Sequence, residues 1–200
     1  MRSVDRRWGW ASLGSVVVVV SLLSACTGPV VRDYPPSPDI SVWMVGDSLA
    51  SGTAADMVPR PYAAGSPAAG FTTYPPSMVI DTATVAIEAF GAPETMLVMA
   101  GVGDTPRAPT EESIAGMEEF VAAMEPYRMR IIWVAEPGYT LAEKLEPLSQ
   151  WMFGQPESID CRFHKGTSTD GVHPFDYTPI SRCVSARLVE MGVEFTVPQG

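Results

Sequence analysis

The chain has 200 residues, 46% of them hydrophobic and 18% charged, and a formal net charge of −10. That length supports one domain with a full core. The acidity excludes a nucleic-acid partner, because a phosphate backbone would be repelled and no basic patch or stacking stripe offsets it; it suits solubility outside a cell.

In chain order, Arg2, Arg6 and Arg7 precede an apolar run containing "VVVVVSLLSAC", the layout of a charged n-region and an h-region. The run is short for a spanning helix, which needs about 20 residues. Its end, Leu23-Ser24-Ala25-Cys26, resembles the bacterial lipobox, in which small residues precede a cysteine that is lipidated and becomes the new N-terminus. The alternatives are an ordinary secretory signal or an uncleaved anchor, but a plain signal would place a small residue where Cys26 stands. The resemblance implies a lipoprotein signal over 1–25 and attachment to the cell membrane on its extracytoplasmic side. A diacylglyceryl cysteine supplies at least two chains, enough for durable anchoring. Removing the leader, which carries three Arg and one Asp, leaves the remainder more acidic still. Three cysteines are an odd number for an exported protein; with Cys26 lipidated, Cys161 and Cys183 remain, and an oxidising compartment favours joining them.

The Pro-rich stretch that follows, 26–38, reads as an extended tether, and 39–200 as the domain. Within it, "ISVWMV" (40–45), "TMLVMAG" (95–101) and "RIIWVAE" (130–136) are short apolar runs typical of buried parallel strands. A further short strand is expected near Tyr62 to Ala64, and a helix over 78–90 ended by Gly91. Ile114, Met117, Val121 and Met124 share one face of a helix over 110–125, stopped by Pro126. "TLAE" (140–143) reads as a capping box before a stripe of Leu141, Leu145, Leu148 and Met152. Thr178 as cap, Pro179 in the first turn and Gly192 past the end mark the last helix. Alternating strands and helices predict a three-layer α/β/α sandwich on a mainly parallel sheet.

The stretch "VWMVGDSLASG" (42–52) breaks from strand into Gly-Asp-Ser. Locally, Asp or Ser there is a helix cap. The reading changes only if a base and an orienting acid exist elsewhere. Of the two histidines, His164 lies in "CRFHKG" and His173 in "TDGVHP". Asp170, three residues before His173, can turn back to the imidazole's second nitrogen and fix its tautomer, as the acid of a Ser-His-Asp set must. Its bland role is to start an Asp-Gly turn. His164, His173 and the scattered carboxylates show no metal-ligand spacing.

"GDSL" (46–49), "AGVGD" (100–104) and "DGVHP" (170–174), in this order, resemble the blocks of the GDSL/SGNH hydrolase family. The resemblance spans roughly 39–192 and implies a flavodoxin-like sheet. It implies Ser48 as nucleophile, His173 as base and Asp170 as its orienting acid. It also implies oxyanion donors from the backbone of Ser48 and of Gly70, with Gly65 nearly as good a match. One departure stands out: the family's third block carries Asn where this chain has Gly103, while Asp104 matches the block's aspartate or else caps the next turn. On this resemblance an Asn at 103 should restore a donor. The implied activity is an esterase or O-acyl transferase acting on an ester of a carbohydrate, lipid or small molecule, with no cofactor, as a monomer. The alternatives are an inactive lipoprotein of the same fold that binds envelope glycan or a protein partner, and a purely structural lipoprotein.

Overall fold

The computed structural model describes residues 41–65, 68–74, 78–163 and 170–194. The leader, Cys26, the tether and His164 lie outside them. Strands and helices alternate along the chain as β1 (Val42–Gly46), α1 (Ser48–Asp56), β2 (Tyr62–Gly65), α2 (Val79–Phe90), β3 (Thr95–Met99), α3 (Thr110–Met124), β4 (Arg130–Ala135), α4 (Ala142–Phe153), β5 (Ser158–Asp160) and α5 (Thr178–Glu190). The five strands pair in parallel in the order β2-β1-β3-β4-β5. This is the flavodoxin-like order, whose direction of winding reverses between β1 and β3.

The apolar runs are continuous because both faces of the sheet are covered. Trp43, Val45, Met96, Val98 and Trp133 point into one core, against Ala83, Ile87, Met117, Phe120, Leu145 and Leu148 of α2, α3 and α4. Val42, Met44, Leu97, Met99, Ile132 and Val134 point into the other, against Leu49, Ala54, Ile180, Val184 and Leu188 of α1 and α5. The result is the expected three-layer sandwich. On the wider side Trp133 meets Phe71, Phe120 and Trp151 at ring-centroid distances of 5.8, 5.9 and 5.0 Å, joining sheet, α3, α4 and the 71–74 loop.

One strand went unread, and two expected caps need correction. β5 has no apolar run to announce it, since only Ile159 of its three residues is buried. Helix α5 is not capped by Thr178: its N-cap is Tyr177, without a side-chain bond, and the Thr178 N–H donates to Asp176 Oδ1 at 2.9 Å. Helix α4 likewise has Leu141 as N-cap and no side-chain cap, so the Thr140–Glu143 capping box does not form. Thr140 is used elsewhere. Gly192 does end α5, at φ +67°, with Val193 N–H bonded back to Leu188 O at 2.9 Å.

Cys161, just past β5, is bonded to Cys183 on α5, with α-carbons 6.0 Å apart. The bond encloses the segment holding Asp170 and His173 and fixes its end to the sheet. Closing a loop of this size should contribute about 3 kcal/mol in the chain-entropy model. The paired Cys161→Ser/Cys183→Ser variant is therefore expected to lose about 3 kcal/mol of unfolding free energy and so to unfold at a lower urea concentration. A midpoint equal to the wild type would show the link adds nothing to stability.

Candidate active site

Ser48, just past β1, lies at the carboxyl edge of the sheet, where open α/β folds hold ligands. β1 ends at Gly46, where a Cβ would fall 1.8 Å from Met99 O, so only glycine lets the turn cross β3 this closely. Asp47 then caps α1 by accepting the Leu49 N–H at 2.8 Å, and Ser48 becomes the first helical residue. Its N–H, like those of any first helical turn, has no intrahelical acceptor.

Ser48 Oγ and His173 Nε2 are 2.6 Å apart, and His173 Nδ1 and Asp170 Oδ2 are also 2.6 Å apart. The other carboxylate oxygen of Asp170 accepts the N–H of Val172 at 2.9 Å and of His173 at 2.8 Å. The Asp-Gly turn and the carboxylate that meets the imidazole are thus one structure. With Nδ1–H donating to Asp170, Nε2 is left to accept from Ser48.

The loop carrying His173 is fastened from two sides. The Thr140 backbone N–H and Oγ1 both donate to Gly171 O, at 3.0 and 2.8 Å, which is what became of the capping threonine. The Tyr177 ring lies on Gly52 of α1, where a Cβ would come within 2.3 Å of it, and Ser181 Oγ donates to Thr53 O at 2.7 Å. Helix α5 and the loop before it are therefore seated directly on the helix that presents Ser48.

Three acids missed as site residues at the sequence level lie buried behind this row. Asp104 does not cap a turn with its side chain. It accepts the Phe71 N–H at 2.8 Å and both the N–H and hydroxyl of Thr72 at 3.1 and 2.9 Å, gripping the loop just after Gly70. Glu136, one residue beyond β4, accepts the Val102 N–H at 3.0 Å and so holds the loop after β3. Asp47 Oδ2 and Glu136 Oε2 are buried without a partner. A signal for Glu136 was present: a charge closing the otherwise apolar "IIWVA" at the sheet's carboxyl end.

Burial sets the charge of these groups. It raises the Asp47 carboxyl to about 7, against the lowering pull of the Leu49 and Ala50 amides and of His173. Burial, then Asp47 and Asp104, hold Glu136 well above the carboxylate range. Burial also raises Asp104, opposed by its Phe71 and Thr72 bonds. Tyr177 is pushed up to about 12 by burial and by Asp47, and keeps its proton.

The glycines separate into distinct roles. Gly65 closes β2 in register with Gly46, and a Cβ there would lie 2.2 Å from Ser51 Oγ, so it is a packing position. Gly70 bridges to Met78, with its carbonyl taking the Val79 N–H at 2.8 Å. Gly103 overturns the expectation that Asn would be welcome: a Cβ there would lie 2.4 Å from Ala69 O and 2.5 Å from Ala68 O. The obstacle is backbone crowding from the loop before Gly70. Among the described residues no group of three or more His, Cys, Asp or Glu side chains could hold a metal ion, and no helix is long and apolar enough to cross a membrane.

No family model matches the chain, and no curated protein matches it either. Among solved structures, one that is 15% identical superposes with a TM-score of 0.60 over 76% of this chain and 98% of its own. Another, a variant of the acetyl-xylooligosaccharide esterase Axe2 from Geobacillus Stearmophilus, is 14% identical over 79% of this chain and 96% of its own, with a TM-score of 0.46. The first likeness shows the fold.

Two predictions follow from the packing and charge of the site. Because Asp47, Asp104 and Glu136 are harder to ionise folded than unfolded, the native chain binds protons more tightly there. For Asp47, the stability this contributes is full below its unfolded value of 3.8 and is lost as pH rises through about 7. Asp47→Asn keeps an oxygen for the Leu49 N–H and removes the charge. Its urea midpoint should gain on the wild type steadily from about pH 4 to pH 8; parallel pH profiles would contradict the raised carboxyl.

Gly103→Asn is expected to lose about 1–3 kcal/mol by overpacking against Ala68 and Ala69, and to give no faster ester cleavage. A variant with unchanged thermal unfolding and raised turnover would show that this backbone gives way.

Proposed function

We propose that the protein is a serine hydrolase or acyltransferase of the GDSL/SGNH type, acting on an ester at the outer face of a membrane to which Cys26 anchors it. The observation that carries the reading is the unbroken chain from Ser48 Oγ through both nitrogens of His173 to Asp170, with both links at 2.6 Å. Serine is a weak nucleophile at its free pKa and gains its reactivity from an imidazole so placed. The lipobox-like Leu23-Ser24-Ala25-Cys26, the joined Cys161–Cys183 pair and the chain's acidity support the export part of the proposal.

In this reading Ser48 Oγ attacks the acyl carbonyl carbon while its proton passes to His173 Nε2. Asp170 accepts from Nδ1–H and offsets the imidazolium charge. The N–H of Ser48 and that of Gly70 face the developing oxyanion. Gly70 is preferred over Gly65, which the β-ladder and Ser51 already occupy. When the tetrahedral intermediate collapses, the C–O bond to the alcohol breaks and His173 returns the proton to the leaving oxygen. The acyl-serine is then released to water, or to a hydroxyl of an acceptor, by the same steps in reverse.

Gly103 supplies no side-chain donor to this hole. Losing one such donor from a serine hydrolase costs on the order of 10²–10³ in kcat, so turnover by water should be slow. The same glycine favours the second reading, a binding protein that keeps the fold without the reaction. A fluorophosphonate probe separates the two. Stoichiometric labelling of wild-type protein, none of Ser48→Ala, and a loss of ~10²–10⁴ in labelling rate for Asp170→Asn are expected of the enzyme. Folded wild-type protein that stays unlabelled would leave the binding reading standing.

A further inference from the structure

The row from Ser48 through His173 to Asp170 ends on a peptide plane. Asp170 Oδ1 accepts the N–H of Val172 at 2.9 Å, and that N–H shares a planar unit with the carbonyl of Gly171. In a trans peptide the two groups point in opposite directions. On the far side of the plane, Gly171 O takes two donors from Thr140, the backbone N–H at 3.0 Å and Oγ1 at 2.8 Å. A carbonyl oxygen has two lone pairs, and here each has a donor. One donor would leave the plane free to tilt; a second from the same residue takes that freedom away. Gly171 stands at φ +76°, and a Cβ on it would lie 2.7 Å from Thr140 Cγ2 and Oγ1. Glycine is needed there both for the turn and for this close approach.

Thr140 reaches Gly171 because the chain before it is bent against its preference. Gly138 and Tyr139 are both left-handed, at φ +60° and +45°, and for a bulky residue such as tyrosine this is a genuine outlier. The bend is closed by Tyr139 N–H donating to Pro137 O at 2.6 Å and by Leu141 N–H donating to Gly138 O at 2.7 Å. Such conformations persist where the surroundings over-determine them. At the start of the same turn, Glu136 accepts the Val102 N–H. One short connection thus holds the loop after β3 at one end and the loop of His173 at the other. A capping box would have used the Thr140 hydroxyl to start α4; the fold directs it to Gly171 instead.

We infer that Thr140 is a positioning residue for His173, acting through the Gly171–Val172 peptide and the Asp170 carboxylate. Its hydroxyl locks the plane, and the plane's N–H holds Asp170 Oδ1. Asp170 Oδ2 then meets Nδ1, with Nε2 turned to Ser48 Oγ. Thr140 itself hydrogen-bonds to neither His173 nor Ser48. The consequence for rate rests on the hydrolase reading, whereas the consequence for the imidazole rests on these hydrogen bonds alone. The Thr140 side chain is exposed, and a single hydrogen bond contributes modestly to stability. A merely structural role therefore predicts no change at the imidazole when the hydroxyl is lost.

Two measurements on Thr140→Val, which keeps the shape and the backbone donor but loses the hydroxyl, test the assignment. The first is the ring ¹⁵N spectrum of His173 at alkaline pH, assigned against His173→Gln. The wild type is expected to show one tautomer, with the proton on Nδ1, and Thr140→Val a mixture of the two. The second is the rate of fluorophosphonate labelling, expected to fall about tenfold in Thr140→Val. Thr140→Ser restores the hydroxyl and should recover the single tautomer and most of the rate. Thr140→Ala takes the place of the valine variant if that does not fold. A wild-type tautomer or a wild-type labelling rate in Thr140→Val would each overturn the assignment, as would a serine variant as impaired as the valine one. Wild-type protein that is not labelled removes the hydrolase reading, and the ring spectrum then decides the positioning by itself.

Discussion

Four carboxyl groups hold the carboxyl edge of this sheet in shape, each by taking backbone N–H groups from a different segment. Asp47 accepts from Leu49 and starts the helix of Ser48; Asp104 accepts from Phe71 and Thr72; Glu136 accepts from Val102; Asp170 accepts from Val172 and His173. Loops at a strand end expose backbone donors that no ladder satisfies, and a buried loop needs those donors paired. Asp104 and Glu136 make the pairing from a neighbouring element, so those loops are positioned relative to one another, whereas Asp47 and Asp170 pair donors within their own turns. The cost is visible in the acids themselves. Asp47, Asp104 and Glu136 all ionise less readily than they would in water, with burial the largest cause each time. Asp170 differs, since its side chain is half exposed and reaches His173 from the rim.

This arrangement explains why some of the molecule was legible in the sequence and some was not. The strands β1, β3 and β4 were readable because both faces of a parallel sheet are covered and their runs are apolar throughout. β5 was not, since a three-residue edge strand with one buried side chain leaves no run to see. Ser48, Asp170 and His173 were readable because short motifs carry them and their chain order is informative. Thr140 misled: its spacing to Glu143 fits a capping box, but tertiary contact with Gly171 claimed the same hydroxyl. The partners of Glu136 and Asp104 were opaque because they lie 34 and 32–33 positions away in the chain. Glycine was read as an absence, a missing asparagine. At 103 it is a presence, because the backbone at Ala68 and Ala69 occupies the volume a side chain would need.

The close approach at Gly103 also bears on how the proposed oxyanion hole would be built. A wide hole can be closed by a side-chain amide reaching in; a narrow one must be closed by backbone. The 68–72 segment is pressed onto Gly103 from one side and drawn down by Asp104 from the other, which fixes Gly70 between two anchored points. A backbone donor held this rigidly needs little reorganisation when charge develops, and preorganisation is what gives such donors their effect. Fewer donors, more firmly placed, is a coherent design for the proposed reaction.

The same acids couple that reaction to the fold's own protonation. A positive charge on His173 lowers the Asp47 carboxyl, which burial has raised to about 7. In the proposed cycle His173 becomes imidazolium when it takes the Ser48 proton, and the ionised form of Asp47 gains weight at that moment. Asp170 meets His173 through a direct hydrogen bond, whereas Asp47 feels its charge through space. Near pH 7 Asp47 sits close to its own midpoint, where a small change in a neighbour's charge shifts its ionisation most. The residue that only capped a helix in the sequence is, in the folded chain, an electrostatic neighbour of His173.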